Sequence, residues 1–427
     1  MKSFLKLSIF NILANLVIPI AGIADIFFVG QLQNQNPTAG VALGTIVFDV
    51  MFWSFGFLRM GTTATLSQLI GKEEKNLFRQ RVFQTITVAL ILGLTLLILK
   101  DLIWDLVETL LAASPVIKQN TKAYFDVRIL NSPITFITYV IAGYFLATQN
   151  GKMILITSLI LNGLNIALNW LFINKYGMLA DGVAWATVIA TTTSLIISFL
   201  YIFFIDKLRP LISDFKKINF SFLKEFFQEN TSLIIRTFLV IGVLSTFSNS
   251  SSYFSRNILI ANTLILKVLA FIQYFMDGFT NSLESFIARA YAKNRYQEMK
   301  SLLASCLKLS LLVWVFGVLV LIIFGKSLIG HLNADGAVQE LALEKLPHLY
   351  ATLFFAAFAY CYDGLFIGVK AYKILMKSMI ISALCFAAIL IPAIFYQNNN
   401  TLWVSLIAFM LTRSLTLHFK RGLYLNG

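Results

Sequence analysis

Asp25, Asp49, Asp277, Glu284 and Asp363, with Arg59, Arg128 and Arg236, stand inside or beside long apolar stretches of the chain. An ionisable group in a bilayer-spanning helix costs about 2.5–3.5 kcal/mol on insertion scales, so each needs a partner, a cavity or a part in moving ions. Asp25 is the sharpest case. It follows Pro19 by six residues and Gly22 by three. Proline removes a backbone donor and bends a helix. A carboxyl in low dielectric favours its neutral form and so exchanges a proton. The bland alternative is a structural salt bridge to one of the arginines. Asn162, Asn165 and Asn169 fall at i, i+3 and i+7, on one helix face. That face either ties helices together by hydrogen bonds or forms a polar wall towards Asp25. Asp277 and Glu284 share a second face and, with Asp363, are candidates for lining a cavity in the second half. Glu284 also lies close enough to a basic loop to be merely solvated, and Asp49 close to a span end. Arg59, Arg128 and Arg236 are the natural counter-charges.

The elements that carry these residues are membrane helices. Of 427 residues, 58% are hydrophobic and 13% charged, a balance that suits lipid as solvent. At roughly 20 apolar residues per span, the pattern predicts twelve, over about 8–30, 38–69, 81–106, 122–147, 152–174, 180–205, 228–250, 258–288, 301–325, 346–369, 374–396 and 400–419. Most of the 34 Lys and Arg residues fall in alternate loops, among them Lys72, Lys75, Lys207, Arg209, Lys293, Arg295, Lys370 and Arg413. Basic loops stay cytoplasmic, which places both termini inside. The same bias accounts for the net charge of +14 without nucleic acid. Lys2 and Lys6 followed by an apolar run to Gly30 read as a retained first span. Cys306, Cys361 and Cys385 have no CxxC spacing and read as small core residues. No metal or other cofactor is expected. Residues 100–120 alternate acidic and apolar side chains at helical spacing, which predicts an amphipathic helix on the outer membrane surface.

The longest basic loop, near mid-chain, divides the sequence into an N-terminal lobe at 1–205, a cytoplasmic connector at 206–227 and a C-terminal lobe at 228–427. The stretch "MGTTATLSQLIGK" (60–72) lies without gaps over "DGFTNSLESFIAR" (277–289), pairing Gly61 with Gly278. Six spans per half keep both halves in one orientation, as parallel repeats with a cleft between them. The expected fold is thus all-α and polytopic: twelve transmembrane helices in two pseudo-twofold-related six-helix lobes around a central cleft.

Pro19 with "DIFFVG" (25–30), "GFLRMGTTA" (56–64), "LNIALN" (164–169), "DGVAWATVIA" (181–190), "DGFTNSLESFIA" (277–288) and "DGLFIG" (363–368) resemble the multidrug and toxic compound extrusion family, in its DinF-like branch. The resemblance covers nearly the whole chain in order. It implies export of amphipathic, often cationic small molecules, driven by inward proton or sodium flow; the absence of an evident transit peptide favours a bacterial inner membrane. It maps the family's helix 1 acid onto Asp25 and its helix 5 polar pair onto Asn165 and Asn169. Many relatives carry Asp where Asn169 stands, so Asp25 lacks its usual carboxylate partner and proton binding at Asp25 alone is the simpler coupling. In the second half Arg236 stands where other branches use an acid, while Asp363 remains.

The expectation is therefore a secondary antiporter, working as a monomer, in which protonation of Asp25 changes its contacts with Asn165 and Asn169 and lets the first helix bend at Pro19. A flippase for lipid-linked saccharides is the alternative; Arg59, Arg128 and Arg236 would supply its cationic cavity. An enzyme would need a catalytic cluster at the interface, and the three scattered histidines, His331, His348 and His418, offer none.

Overall fold

The structure, a computed structural model, describes the backbone of residues 1–30, 35–111, 113–211, 214, 220–332 and 335–426, and the side chains of these residues except 21–27, 29, 30, 35, 220 and 221. Among the described residues, twelve helical stretches are long and apolar enough to cross a membrane. Each overlaps one of the spans expected from the sequence. Their outer surfaces carry exposed apolar side chains that suit lipid and not water, such as the consecutive Ile322, Ile323 and Phe324.

The helices in chain order are α1 (Lys2–Gly30), α2 (Gln35–Trp53), α3 (Phe57–Gly71), α4 (Lys75–Ile98), α5 (Lys100–Leu110), α6 (Pro115–Arg128), α7 (Ser132–Ala147), α8 (Gly151–Trp170) and α9 (Ala180–Leu200). There follow α10 (Phe220–Phe254), α11 (Arg256–Ala292), α12 (Tyr296–Leu332), α13 (Gly336–Glu344), α14 (Leu346–Gly368), α15 (Tyr372–Phe395), α16 (Asn399–Lys420) and α17 (Gly422–Leu425). Three expected spans are broken, one of them the third, which ends at Ile98 where α5 begins at Lys100 as a separate helix. The second divides into α2 and α3 at Ser54–Gly56, where the backbone tightens to i→i+3 bonds such as Gly56 N–H to Trp53 O, 2.9 Å. The fourth divides into α6 and α7 at a 3-10 turn, Ile129–Asn131, just before Pro133. The amphipathic helix expected over 100–120 ends at Leu110. Leu111 is extended, and Pro115 takes the first helical position of α6, where its missing N–H costs nothing. On α5, Leu102, Leu106 and Leu110 project from one exposed face, while Trp104 is buried against Phe125.

The chain forms two compact units, Leu13–Phe227 and Gln228–Gly427, and the second also includes Met1–Ile12. The start of α1 is held there by Asn11, whose amide donates to Ser282 Oγ at 2.8 Å, and by Phe4 edge-on to Phe286. Gly278 of α11 permits this seat, since a Cβ there would lie 2.3 Å from Ile12.

The two units repeat one scaffold. Non-glycine residues with positive φ recur at the same interval along the chain, Glu73 with Asn294 and Gln149 with Lys370. Helix ends recur likewise: Gly71 with Ala292, Lys75 with Tyr296, Ala147 with Gly368, Gly151 with Tyr372. So does one close helix crossing. A Cβ on Gly143 would meet Arg59 O and Thr62, and one on Gly364 would meet Thr280 O and Leu283. Arg59 therefore corresponds to Thr280, and Gly61 to Ser282 rather than to Gly278. The ungapped sequence pairing was displaced by four residues. That is close to one helical turn of 3.6, so the apolar pattern matched almost as well in the wrong register.

Close packing at such crossings makes a prediction. A Cβ on Gly93 of α4 would lie 2.3 Å from Pro133 Cα of α7, a backbone atom that cannot turn aside. Gly93→Val is expected to lower stability by about 1–3 kcal/mol. Unfolding of the detergent-purified protein checks this, and a wild-type transition would refute it.

Candidate functional site

Asp25 falls in the part of α1 whose side chains lie outside the described residues, so its expected contacts with Asn165 and Asn169 lie outside them too. Pro19 is half-buried inside α1, where it cannot donate to the carbonyl four residues back.

The α8 asparagines are all buried. Asn165 donates to Thr187 Oγ1 of α9 at 3.1 Å, and Asn169 donates to Asn165 Oδ1 at 3.3 Å. Asn162 donates within its own helix to Ser158 O at 2.8 Å, and Ser158 Oγ donates to Ala14 O at 2.8 Å. Along α9 the polar line continues, with Asn131 donating to Thr191 Oγ1 at 3.2 Å. The three-residue face is thus a hydrogen-bonded seam. Asn165 ties α8 to α9, Asn169 braces Asn165, and the Ser158 beneath Asn162 reaches α1.

The first unit also gathers Asp49, Arg59 and Arg128 within electrostatic range of Tyr139. Arg128 lies over the rings of Phe48 and Phe52 at 5.6 and 5.2 Å, and its Nη1 is buried without a hydrogen-bond partner among the described residues. A cation held by ring faces keeps its charge available.

The second unit brings Arg236 of α10, Asp363 of α14 and Arg413 of α16 together. Both guanidiniums donate to one oxygen, Asp363 Oδ2. Asp363 and Arg413 are sealed, at 3% and 2% side-chain exposure, while Arg236 retains 14%. The Arg413 guanidinium also lies 5.5 Å from the Tyr360 ring centre. Asp277 acts electrostatically on the same Tyr360. Glu284 is buried, not solvated as its nearness to a basic loop suggested, and acts on Tyr372 at the start of α15. Arg413 is the member that loop counting missed: it counted as a loop base, yet it lies within the predicted span 400–419, where a buried cation requires an acid.

A second buried polar group went unforeseen. Asn262 donates to Ser251 Oγ and to Asn399 Oδ1, both at 2.8 Å, and Trp403 Nε1 donates to Asn262 Oδ1 at 2.9 Å. Ser251 lies in the last turn of α10 and is buried. Asn262→Leu strands these partners in an apolar core, and an expected loss of about 1–3 kcal/mol follows. Unchanged unfolding would show that the hub contributes nothing.

Outside the spans, Glu344 is held below the usual carboxylate range by a hydrogen bond from Lys345. Cys306 and Cys361 pack as buried free thiols. Among the described residues no group of His, Cys, Asp and Glu could hold a metal ion. A groove of about 680 Å³ beside α5, lined by Asp101, Trp104, Glu108, Lys118 and Lys122 among others, contains none of the candidate residues.

Two tandem matches to the MatE family model cover residues 11–171 and 233–392. The chain belongs to the MatE family. Their spacing agrees with the repeat seen in the helix ends. This MatE chain is 26% identical to DNA damage-inducible protein F of Escherichia coli, over 99% of its own length and 93% of the relative's. It is 21% identical to the multidrug export protein MepA of Staphylococcus aureus, over 95% and 90%. Its fold matches that of a multidrug resistance MATE family transporter solved in an outward-facing conformation, with a TM-score of 0.91 at 16% identity, over 100% of this chain and 96% of that one. The fold is therefore that of MATE transporters, all-α, polytopic and built from two related six-helix lobes, and the MatE family is one of membrane transporters and not of enzymes.

Proposed function

We propose that this chain is a secondary active efflux transporter, exporting amphipathic and often cationic small molecules in exchange for protons. The match of the family model to both halves carries this reading. The names of the two relatives, one a multidrug export protein, support it. Lobes 1–205 and 228–427, joined by 206–227, exchange access, and Asp25 is the group that takes and releases the proton. Coupling passes through α1, whose ladder Pro19 interrupts, and through the Asn165–Asn169 seam beside it. Proton is favoured over sodium because Asp363, the acid retained in the second lobe, is committed to two guanidiniums. A hard cation needs several free oxygen ligands. One elementary charge across 100 mV supplies about 2.3 kcal/mol, roughly a fifty-fold substrate gradient. The protein needs no cofactor and works as a monomer in the bacterial inner membrane, with both termini cytoplasmic and no nucleic-acid partner. A second reading, a flippase for lipid-linked saccharides, draws on Arg59, Arg128 and Arg236 for a cationic cavity.

The test is efflux of tetraphenylphosphonium from proteoliposomes with pH and sodium gradients imposed separately. Efflux driven by the pH gradient is expected. Efflux driven by sodium alone would overturn proton coupling. No efflux under either gradient, with turnover of a lipid pyrophosphate, would favour the flippase.

A further inference from the structure

Asp49 is the one ionisable residue of α2. Its side chain is exposed and makes no hydrogen bond or ion pair among the described residues. Packing fixes which way it points. Gly44, Phe48 and Phe52 of α2 turn inward: a Cβ on Gly44 would strike the Tyr124 ring, Phe48 packs on Phe125, and Phe52 packs on Phe136. The opposite face stays open, with Ala42, Thr45, Ile46, Asp49, Val50 and Trp53 all exposed. They fall at i, i+3, i+4, i+7, i+8 and i+11, a single helical stripe. Thr45 Oγ1 donates to Val41 O at 2.8 Å, so the carboxylate is the free polar group of that stripe. A carboxylate turned towards acyl chains is costly, and acids in spans almost always face the bundle interior or a wetted cavity. The protein around Asp49 also desolvates its carboxyl, although the side chain is exposed. Open yet enclosed, it lines a recess. The cation acting on it is Arg128. That guanidinium lies over the rings of Phe48 and Phe52, at 5.6 and 5.2 Å, and forms no ion pair with Asp49. Both carboxylate oxygens therefore remain acceptors, and an arriving cation need displace nothing.

We propose that the open face of α2 is a substrate-binding surface for amphipathic amines, with the Asp49 carboxylate pairing with the ammonium group and Ile46, Val50 and Trp53 holding the apolar body. The proposal rests on the transporter reading and narrows its cations to protonated amines. A hydrogen bond from an ammonium to a carboxylate is about twice as strong as a neutral one. The Trp53 ring, one turn along, adds its face to the cation. Apolar side chains flank the acid on both sides along the stripe. That suits a compact substrate whose charge lies against its hydrophobic body. A phospholipid ammonium, at the wet end of its molecule, would leave half of the stripe uncovered.

The experiment measures binding with no gradient imposed, which separates recognition from coupling. Dansylcadaverine, a primary amine, and dansylamide, a neutral molecule, share one fluorophore and differ in charge. Their affinities are measured by anisotropy for the full chain in phosphatidylcholine nanodiscs, as wild type, Asp49→Asn and Asp49→Glu. Asp49 is exposed and holds no partner, so Asp49→Asn should fold, and a monodisperse elution profile checks this. The expected result is a loss of dansylcadaverine affinity of about tenfold or more in Asp49→Asn. Asp49→Glu should recover part of it, and dansylamide should bind as before. Equal dansylcadaverine affinity in wild type and Asp49→Asn would overturn the proposal. So would equal weakening of both probes, which marks a purely structural role. Phosphatidylethanolamine added to the nanodiscs supplies a lipid ammonium. If it displaces dansylcadaverine, the surface belongs to lipid and the proposal fails; undisturbed binding supports a soluble amine. A null result here leaves gradient-driven efflux standing, and absent efflux leaves the binding result standing.

Discussion

Asp363→Asn is expected to be the most destabilising single substitution at the candidate site, by about 3–5 kcal/mol. The carboxylate is the shared acceptor of Arg236 and Arg413. Asn keeps the shape but loses the negative charge. Two guanidiniums, one of them at 2% exposure, would then stand together in the interior. Arginine cannot escape by losing its proton. The pair must break apart or draw water in, and α10, α14 and α16 separate where the triad joins them. A companion variant isolates the cause. With Arg236→Met, Asp363→Leu and Arg413→Met combined, no charge is left unpaired, and apolar side chains of similar size often replace a buried ion cluster at little cost. The triple variant is therefore expected to unfold nearer the wild type than Asp363→Asn does. Denaturant unfolding in detergent measures both. If Asp363→Asn unfolds with the wild type, the triad is not what holds these helices.

The scaffold was legible because hydropathy and loop charge are long-range averages. A span tolerates many substitutions and still reads as a span. The breaks were not legible for the same reason. Ser54–Gly56 and Ile129–Asn131 are short local changes of hydrogen bonding inside continuous apolar runs. The repeat was visible but read one helical turn out of register, since a helix presents nearly the same face every four residues. The chemistry was legible by residue type and not by partner. Arg236 and Asp363 stood out as isolated charges, yet their third member was counted as a loop base. A charge near a span end looks the same whether it reaches water or turns inward. The burial of Glu284 shows the same ambiguity from the acidic side. The Asn262 hub joins two consecutive helices to α16, more than a hundred residues further on, and no spacing rule links them.

The two units share helix ends and crossings but not polar residues, and that asymmetry sets the last prediction. The first unit has the Asn162, Asn165 and Asn169 seam, the second a carboxylate held by two arginines. On the proposed mechanism Asp25 is the acid that carries the proton. Asp25→Asn keeps the side-chain volume and hydrogen-bonding reach and removes the titration. Pumping should vanish while substrate binding survives. A gradient of about fifty-fold at 100 mV should fall to equality, because a carrier that cannot load the proton has no free energy to spend. Asp25→Glu, which still titrates, should retain part of it. Pro19→Ala should slow the cycle without uncoupling it, since it restores a backbone donor but leaves the acid in place. Proteoliposomes with an imposed pH gradient, followed by substrate accumulation and by internal pH, distinguish these outcomes. Undiminished accumulation by Asp25→Asn, with proton flux intact, would move coupling elsewhere, and Asp49, beside Arg128, would be the next acid to test.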